Sequence, residues 1–404
     1  MSAHPVTAHP MTALEALIGA EAVAAVRRPI AEARALPPAA YTDAEFFALE
    51  RRRVFQRHWT SIAFAHEIPE PGDAMPVEGA GVPLILARGR DGEVRAFHNV
   101  CRHRGSAILS APVKGQPTLR CPYHSWAYGL DGRLRATPLW DGKRTTPREA
   151  LPRDELGLHP VRCGVWAGIV FIDLSGTAPP LEEHVAPVVQ RWAPYQTEDL
   201  RLGHFAEGEI AANWKLGVEG ALENYHEEFV HPSLPARLDA VGDKTFADIA
   251  EGAMFGFTWA GESALRSPTP LIPLRPEHAG ETRMDTLAFL FPNTQVNLYG
   301  SVSVRVIWTP LGPDRTLIRS AFFIVPEAAE DARFAAERAE MAEYWRNLRE
   351  EDRRVIEAMQ QGRRSPAAGD FRFSPFWEES VHHFQNLVVE AMLAGEGGEG
   401  GSGG

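Results

Sequence analysis

Cysteine is scarce in this chain: Cys101, Cys121 and Cys163 are the only three among 404 residues. That excludes a disulfide framework and predicts a reducing compartment. No run of about eighteen apolar residues exists, so no membrane-spanning helix is expected. The N-terminus lacks a charged stretch leading into an apolar one, so no secretory leader is expected and the cytoplasm is the predicted location. Basic blocks are also missing. Lys and Arg number 41 against 53 Asp and Glu, a net charge of −12, which argues against a nucleic-acid partner. No glycine-rich nucleotide fingerprint follows a strand pattern, so no NAD or flavin site is expected on this chain.

Apolar residues make up 44% of the chain, enough for full cores, and its length predicts two domains. The most informative residues are Cys101 and His103, then Cys121 and His124, one sulfur and one imidazole in each pair. Two Cys and two His can hold a Rieske-type [2Fe–2S] cluster, the cysteines on one iron and the histidines on the other. The same set can hold structural zinc. However, a zinc finger groups a Cys pair and then a His pair, whereas each segment here mixes the two. The surrounding Asn99-Val-Cys-Arg-His-Arg-Gly105, Cys121-Pro-Tyr-His-Ser-Trp126 and Tyr128-Gly-Leu-Asp-Gly132 carry glycine and proline suited to tight turns around a ligand.

Patterning divides the chain. A helical pattern runs from Thr12 to Arg28, and Thr42-Asp-Ala-Glu45 resembles a capping box opening a helix through Phe55. Residues 1–55 thus form a helical segment expected to pack on the catalytic domain. Short β-rich runs such as Val82–Ala87 and Val94–Phe97 fill 56–175, separated by Gly89-Arg-Asp-Gly92 and Asp131-Gly132 turns. Val161 to Phe171 reads as a strand that buries Cys163 as a structural thiol. Residues 176–393 are mixed, with helical segments near 214–230 and 328–362 and strand patterns over 287–299, 302–309 and 316–325. The predicted class is α+β: an all-β module beside a domain with an antiparallel sheet flanked by helices. The Gly-rich 394–404 tail is expected to be disordered.

A second metal site is legible in Asn213 to His231. On a helix Glu219, Glu223 and His226 would share one face, bordered by Leu222 and Phe229 and pointing inward. His231 falls off that face, but Pro232 disfavours helix at His231 and lets it swing round. In the later helix, Met341, Trp345, Leu348, Asp352, Val355 and Met359 form an amphipathic stripe, with a carboxylate where an apolar residue belongs. Its neighbour Glu351 is the weaker candidate, and a core ion pair would also explain Asp352. His226, His231 and Asp352 make a 2-His-1-carboxylate set, the facial triad of non-heme iron oxygenases. The His-Glu-x-x-His zinc protease pattern is not met, since the spacing is one residue too long.

From Tyr41 to Leu393 the chain resembles the catalytic α subunit of Rieske non-heme iron oxygenases, with both metal motifs in the expected order. The resemblance implies a cluster on Cys101, His103, Cys121 and His124 and mononuclear iron on His226, His231 and Asp352. It also implies that Glu223 is a carboxylate bridging the iron site to His124 of a neighbouring subunit. It implies a ring-like oligomer such as a homotrimer. Electrons originating in NAD(P)H would arrive through a separate ferredoxin or flavin reductase. A lone Rieske electron carrier would need only the β module, so the second domain argues for an oxygenase.

Leu36-Pro-Pro-Ala-Ala-Tyr-Thr-Asp43, the Cys-Pro-Tyr-His-Ser-Trp motif and Glu223 resemble the branch that hydroxylates, demethylates or cleaves quaternary ammonium compounds. The other open class is an aromatic ring or aromatic acid. A quaternary ammonium group needs aromatic faces. Phe255, Phe257, Trp259, Phe289, Phe291, Tyr299 and Trp308 are the candidates, each with core packing as its alternative.

Overall fold

The computed structural model describes residues 11–143, 151–232, 246–260 and 270–394. The tail beyond 394 lies outside the described residues. The N-terminal helical pattern is two helices, α1 (Ala13–Ile18) and α2 (Ala20–Val26), because Gly19 takes a φ of 86° between them. α3 (Ala39–Thr42) and α4 (Ala44–Glu50) follow, and α4 runs into a wider π-type turn to Phe55. The cap of α4 is Asp43, not Thr42: its carboxylate accepts from the Glu45 and Phe46 amides, both at 2.8 Å. Thr42 instead ends α3 and donates to the Pro38 carbonyl.

Nine strands follow: β1 (Thr60–Phe64), β2 (Ala74–Gly79), β3 (Val82–Arg88), β4 (Val94–His98), β5 (Thr118–Arg120), β6 (Ala127–Gly129), β7 (Leu134–Ala136), β8 (Pro160–Trp166) and β9 (Ile169–Asp173). They form an antiparallel six-stranded sheet, β1-β9-β8-β4-β3-β2, and a small β5-β6-β7 sheet. The expected strand over 161–171 is thus a hairpin, turning at Ala167-Gly168 with both residues at positive φ. Cys163 is half-buried in β8 rather than fully buried. Burial pushes its thiol up to about 12, so it stays protonated and inert.

The remaining elements are α5 (Leu181–Trp192), β10 (Arg201–Ile210), α6 (Trp214–Ala221), α7 (Glu227–Val230), β11 (Phe246–Glu251), β12 (Met254–Ala260), β13 (Met284–Leu290), β14 (Thr294–Leu298), β15 (Ser303–Gly312), β16 (Arg315–Ile324), α8 (Pro326–Glu330), α9 (Ala335–Gly362) and α10 (Glu379–Leu393). The seven strands make one antiparallel sheet, β10-β16-β15-β14-β13-β12-β11. Central β14 is buried along its whole length, and α6, α9 and α10 pack on the sheet. The expected strand over 287–299 is β13 plus β14, folded back at Phe291-Pro292.

A buried ion pair fixes the N-terminal segment to this domain. Lys215 on α6 donates to Glu50 at 2.7 Å, both side chains fully buried, and the Trp214 indole N–H donates to the same carboxylate at 2.9 Å. Tyr41, Phe46 and Trp214 surround the ammonium with ring faces 5.1–5.5 Å away. Such a pair adds little beyond an apolar equivalent, but removing one partner costs about 3–5 kcal/mol, so it enforces the register of α4 on α6. The β module is tied to the large sheet by Asn293. Its side-chain oxygen accepts from the Ser61 amide at 3.1 Å, and its amide donates to the Ser61 carbonyl at 3.0 Å. Among the described residues, no helix is long and apolar enough to cross a membrane.

Candidate metal centres and cavity

The two Cys/His loops are built alike. The Gly105 amide donates to the Cys101 carbonyl at 3.0 Å, and the Ser125 amide donates to the Cys121 carbonyl at 3.0 Å. Gly105 and Ser125 both have positive φ, 73° and 56°, which turns each loop sharply behind its ligands. Asn99 pins the first loop, its side-chain oxygen accepting from the Ile108 and Leu109 amides. Both cysteines are buried, and the His103 and His124 rings lie 4.7 Å apart. His103 stacks on Trp126 at 5.0 Å, and its Nδ1 is buried with no hydrogen-bond partner.

That orphaned nitrogen beside two free buried thiols fits a metal group. Among the described residues, the only three Cys, His, Asp or Glu ligand atoms mutually within 4.8 Å are those of His226, His231 and Asp352. Two Cys and two His, with both cysteines buried and the His rings side by side, suit a [2Fe–2S] cluster with the cysteines on one iron and the histidines on the other. Tyr128, part of the second motif, braces the first loop. Its hydroxyl accepts from the Arg102 amide at 3.1 Å and lies 3.3 Å from Cys101 Sγ. Its own proton is therefore aimed at the sulfur. Burial and the Cys101 contact raise the Tyr128 pKa, which keeps that proton in place.

The second site departs from the helix expected over 214–230. α6 stops at Ala221, and Leu222 to His226 form a turn before α7. Glu219, Glu223 and His226 therefore do not share one helical face. Glu219 remains in α6, buried, and accepts from the Tyr41 hydroxyl at 2.7 Å and the Gln385 amide at 3.0 Å. Phe229 does not point inward: it is 77% exposed. The break has a local cause. The Glu223 carboxylate takes the His226 backbone N–H at 3.0 Å, as an N-cap does, competing with helix continuation. α7 ends at Val230, and His231, before Pro232, has φ −112° and ψ 80°, off the helix as the proline requires.

These bends bring three groups together. His231 Nε2 lies 3.0 Å from Asp352 Oδ1, and His226 Nε2 lies 3.5 Å from the same oxygen. Each imidazole is oriented from behind by another carboxylate. Glu223 bonds His226 Nδ1 at 2.5 Å, and Glu351 bonds His231 Nδ1 at 2.9 Å. Both Nε2 atoms thereby face Asp352. Glu351, the weaker ligand candidate in the sequence, meets the far nitrogen of His231 and not the point where the three groups converge. Burial opposes a positive charge on His226, yet Asp352 and Glu223 hold its pKa up at about 10. His231 is raised too, against burial, chiefly by Asp352. Burial pushes Asp352 up, but the two imidazoles outweigh it and its pKa falls. Carboxylates that demand a cation at this point fit a divalent metal, and the N, N, O set suits iron.

Beside the triad lies a cavity of about 130 Å³, with Phe257, Trp259, Tyr299 and Trp345 among its walls. Trp259 and Trp345 flank Tyr299 at 6.1 and 5.7 Å. A second chamber of about 120 Å³ lies across Gln295, Asn297, Trp345 and Asp352, which line both, and Trp308 belongs to it. Three aromatic candidates are corrected. Phe255, Phe289 and Phe384 stack in the core, and Phe291 is buried against His58. None of the three candidates lines either chamber. Phe255 and Phe257 lie two apart on β12 and share a face, Phe255 opposite Phe289 and Phe257 opposite Leu287 in unbroken register. They differ in position along the strand: Phe384 of α10 covers Phe255, while Phe257 and Leu287 line the cavity. Trp345, Gln295 and Asn297 were missed. Trp345 lay on the stripe, but only packing shows which stripe residues meet a cavity.

A family model for the ring hydroxylating alpha subunit (catalytic domain) matches residues 189–394, and a Rieske [2Fe-2S] domain model matches 58–147. The chain is 29% identical over 441 residues to the glycine betaine monooxygenase oxygenase subunit of Chromohalobacter salexigens, covering 98% of this chain and 97% of that one. It is 29% identical to the carnitine monooxygenase oxygenase subunit of Escherichia coli K12, covering 89% and 94%. It is 27% identical to the chloroplastic choline monooxygenase of Atriplex hortensis, covering 90% and 79%. Among solved structures, a quaternary ammonium Rieske monooxygenase superposes with a TM-score of 0.73 at 24% identity, covering 89% of this chain and 96% of that one. Naphthalene 1,2-dioxygenase from Rhodococcus sp. superposes with a TM-score of 0.73 at 22% identity, covering 90% and 95%.

Proposed function

The chain belongs to the ring-hydroxylating alpha-subunit family, and from that premise we propose that it is a Rieske oxygenase that hydroxylates, demethylates or cleaves a small quaternary ammonium compound. The observation that carries the reading is the junction of His226, His231 and Asp352 with an aromatic-walled cavity. Trimethylammonium groups bind ring faces by cation–π attraction. Phe257, Trp259, Tyr299 and Trp345 offer such faces beside the triad, and relatives along nearly the whole chain carry betaine, choline and carnitine monooxygenase names. An aromatic substrate is the second reading, since naphthalene 1,2-dioxygenase has the same fold.

In this reading Cys101, His103, Cys121 and His124 hold the cluster, and His226, His231 and Asp352 hold iron. When bound, the two groups supply electrons one at a time and a place for O₂. Glu223 and Glu351 fix the imidazole orientations, Tyr128 hydrogen-bonds the Cys101 sulfur, and the aromatic walls hold the substrate and exclude water. The 56–175 and 176–393 division assigns one centre to each domain. Tyr123, Leu139 and Trp140 are exposed around the His103/His124 edge, and Tyr225 and Phe229 are exposed beside Glu223. Mutual burial of these patches in a homotrimer supports electron transfer between subunits. A separate ferredoxin or flavin reductase is the donor, and the protein works in the cytoplasm. The deciding experiment supplies a surrogate reductase and follows O₂ uptake with product for choline, betaines, carnitine and aromatic acids. Coupled turnover of aromatic acids alone refutes the substrate class.

A further inference from the structure

The inner chamber holds a charge that the reading above leaves unused. Arg349 on α9 lies one turn beyond Trp345 and three residues before Asp352, so all three share a helix face. With Trp345 and Asp352 it lines the inner chamber, whose other walls include Val304, Val306, Ile318 and Phe322. Its hydrogen bonds are long: Nε to the Trp345 carbonyl at 3.4 Å and Nη1 to the Ser320 hydroxyl at 3.3 Å. Among the described residues no carboxylate pairs with it. Its neighbours differ: Arg346 pairs with Glu343, Arg353 with Glu350 and Glu357, and Arg354 with Glu350. Arg349 is half-buried, and that burial, with no counter-ion among the described residues to oppose it, lowers its pKa.

We propose that Arg349 binds the carboxylate of a zwitterionic substrate, so that the enzyme selects betaines, trimethylammonium carboxylates, over trimethylammonium alcohols, which lack the carboxylate. The inference rests on the quaternary-ammonium reading and narrows it. The aromatic chamber takes the cationic head beside the triad, and the inner chamber takes the anionic end. Residues one helical turn apart are about 5–6 Å apart at Cβ, so Trp345 and Arg349 are spaced for the two ends of a short betaine. An apolar surround strengthens the guanidinium–carboxylate pair, and a planar fork suits a carboxylate. The outer chamber's lining contains no Lys or Arg, and the inner chamber's other cation, Arg353, is already neutralised.

Calorimetric titration of the iron-loaded protein tests this with glycine betaine, γ-butyrobetaine, choline and the amide of glycine betaine, which keeps the cation and loses the carboxylate. The unmodified protein is expected to bind at least one betaine about tenfold or more tighter than choline or the amide. Arg349→Gln is expected to weaken that betaine by about 10- to 100-fold, the size of a lost charged hydrogen bond, while choline stays within about threefold. Arg349→Lys keeps the charge but not the fork, should lose part of the advantage, and carries the test if the Gln variant does not fold. Equal affinity for choline and betaines overturns the inference while sparing the reading beneath it. A uniform loss for every ligand in a folded Arg349→Gln protein also overturns it. Binding of no trimethylammonium compound overturns both.

Discussion

Glu351 and Asp352 are adjacent in sequence and grip opposite nitrogens of one ring: Glu351 meets His231 Nδ1 at 2.9 Å and Asp352 meets Nε2 at 3.0 Å. Consecutive helical residues point about 100° apart, so they reach both edges of an imidazole only when the ring enters between them. The turn at His231–Pro232 delivers it there. In the proposed reading Asp352 is then the metal ligand and Glu351 the group that orients the ring.

Removing the ligand should separate the two centres. Asp352→Ala is expected to lower iron from about three to about two atoms per chain, abolish product and leave the cluster's visible and EPR spectra intact. Iron analysis with those spectra checks it. Retained hydroxylation would move the ligand assignment elsewhere.

Removing the orienting group should be milder. Glu351→Ala is expected to weaken mononuclear iron binding by about 10- to 100-fold, with Glu351→Gln recovering much of it because the amide can still accept the Nδ1–H bond. Iron titration of apoprotein reads the affinity, and unchanged binding in both variants would remove the role.

Glu223 stands behind His226 as Glu351 stands behind His231, but an exposed aromatic patch lies beside it. Glu223→Gln should keep both metals while cluster oxidation no longer yields product. Single-turnover experiments count product per cluster oxidised, and normal coupling would reduce Glu223 to a local brace.

The aromatic residues should divide by location. Phe255→Ala opens a core hole and is expected to cost about 3–5 kcal/mol of stability, with the substrate ranking unchanged. Trp259→Ala should weaken trimethylammonium binding about tenfold with a smaller stability cost. Urea midpoints beside titrations distinguish them. A changed ranking in Phe255→Ala would return that ring to the site.

His184 predicts an acid-sensitive fold. Its Nε2 is buried without a partner, its ring lies against Phe171, and burial, aided by His58, lowers its pKa from 6.5 to about 4. Between those values the unfolded chain takes up a proton that the folded chain refuses. Stability therefore falls as pH drops through the window, and the loss is complete below the folded value. His184→Leu should remove about 2 kcal/mol of the stability difference between about pH 7 and pH 4.5. Parallel pH profiles for both proteins would show that His184 does not carry the effect.

Much of this was legible in the chain because it depends on local chemistry. Cys101, His103, Cys121 and His124 sit in short loops whose turn residues lie within a few positions, so spacing alone exposes them. Asp352 stood out because a carboxylate interrupts an apolar stripe of period 3.6, and Pro232 announced the bend at His231. The α6–α7 break was not legible. The helical pattern continues through Leu222 to His226, and it is the Glu223 carboxylate taking a backbone amide that ends it. Nor could alternation separate Phe255 from Phe257, since the two share a strand face and only the packing of Phe384 over Phe255 decides which ring meets the cavity.

The sequence by itself therefore determined which atoms were available to bind metal and roughly which elements carry them, because ligand chemistry and helical or strand period are local properties. Tertiary structure alone decided the rest. It set which nitrogen of each imidazole faces Asp352 and which faces Glu223 or Glu351, which aromatics form a wall and which form the core, and that Arg349 has no carboxylate partner among the described residues. Those depend on groups more than a hundred residues apart, such as His231 and Asp352, meeting within about 3 Å, and no local pattern encodes such a meeting.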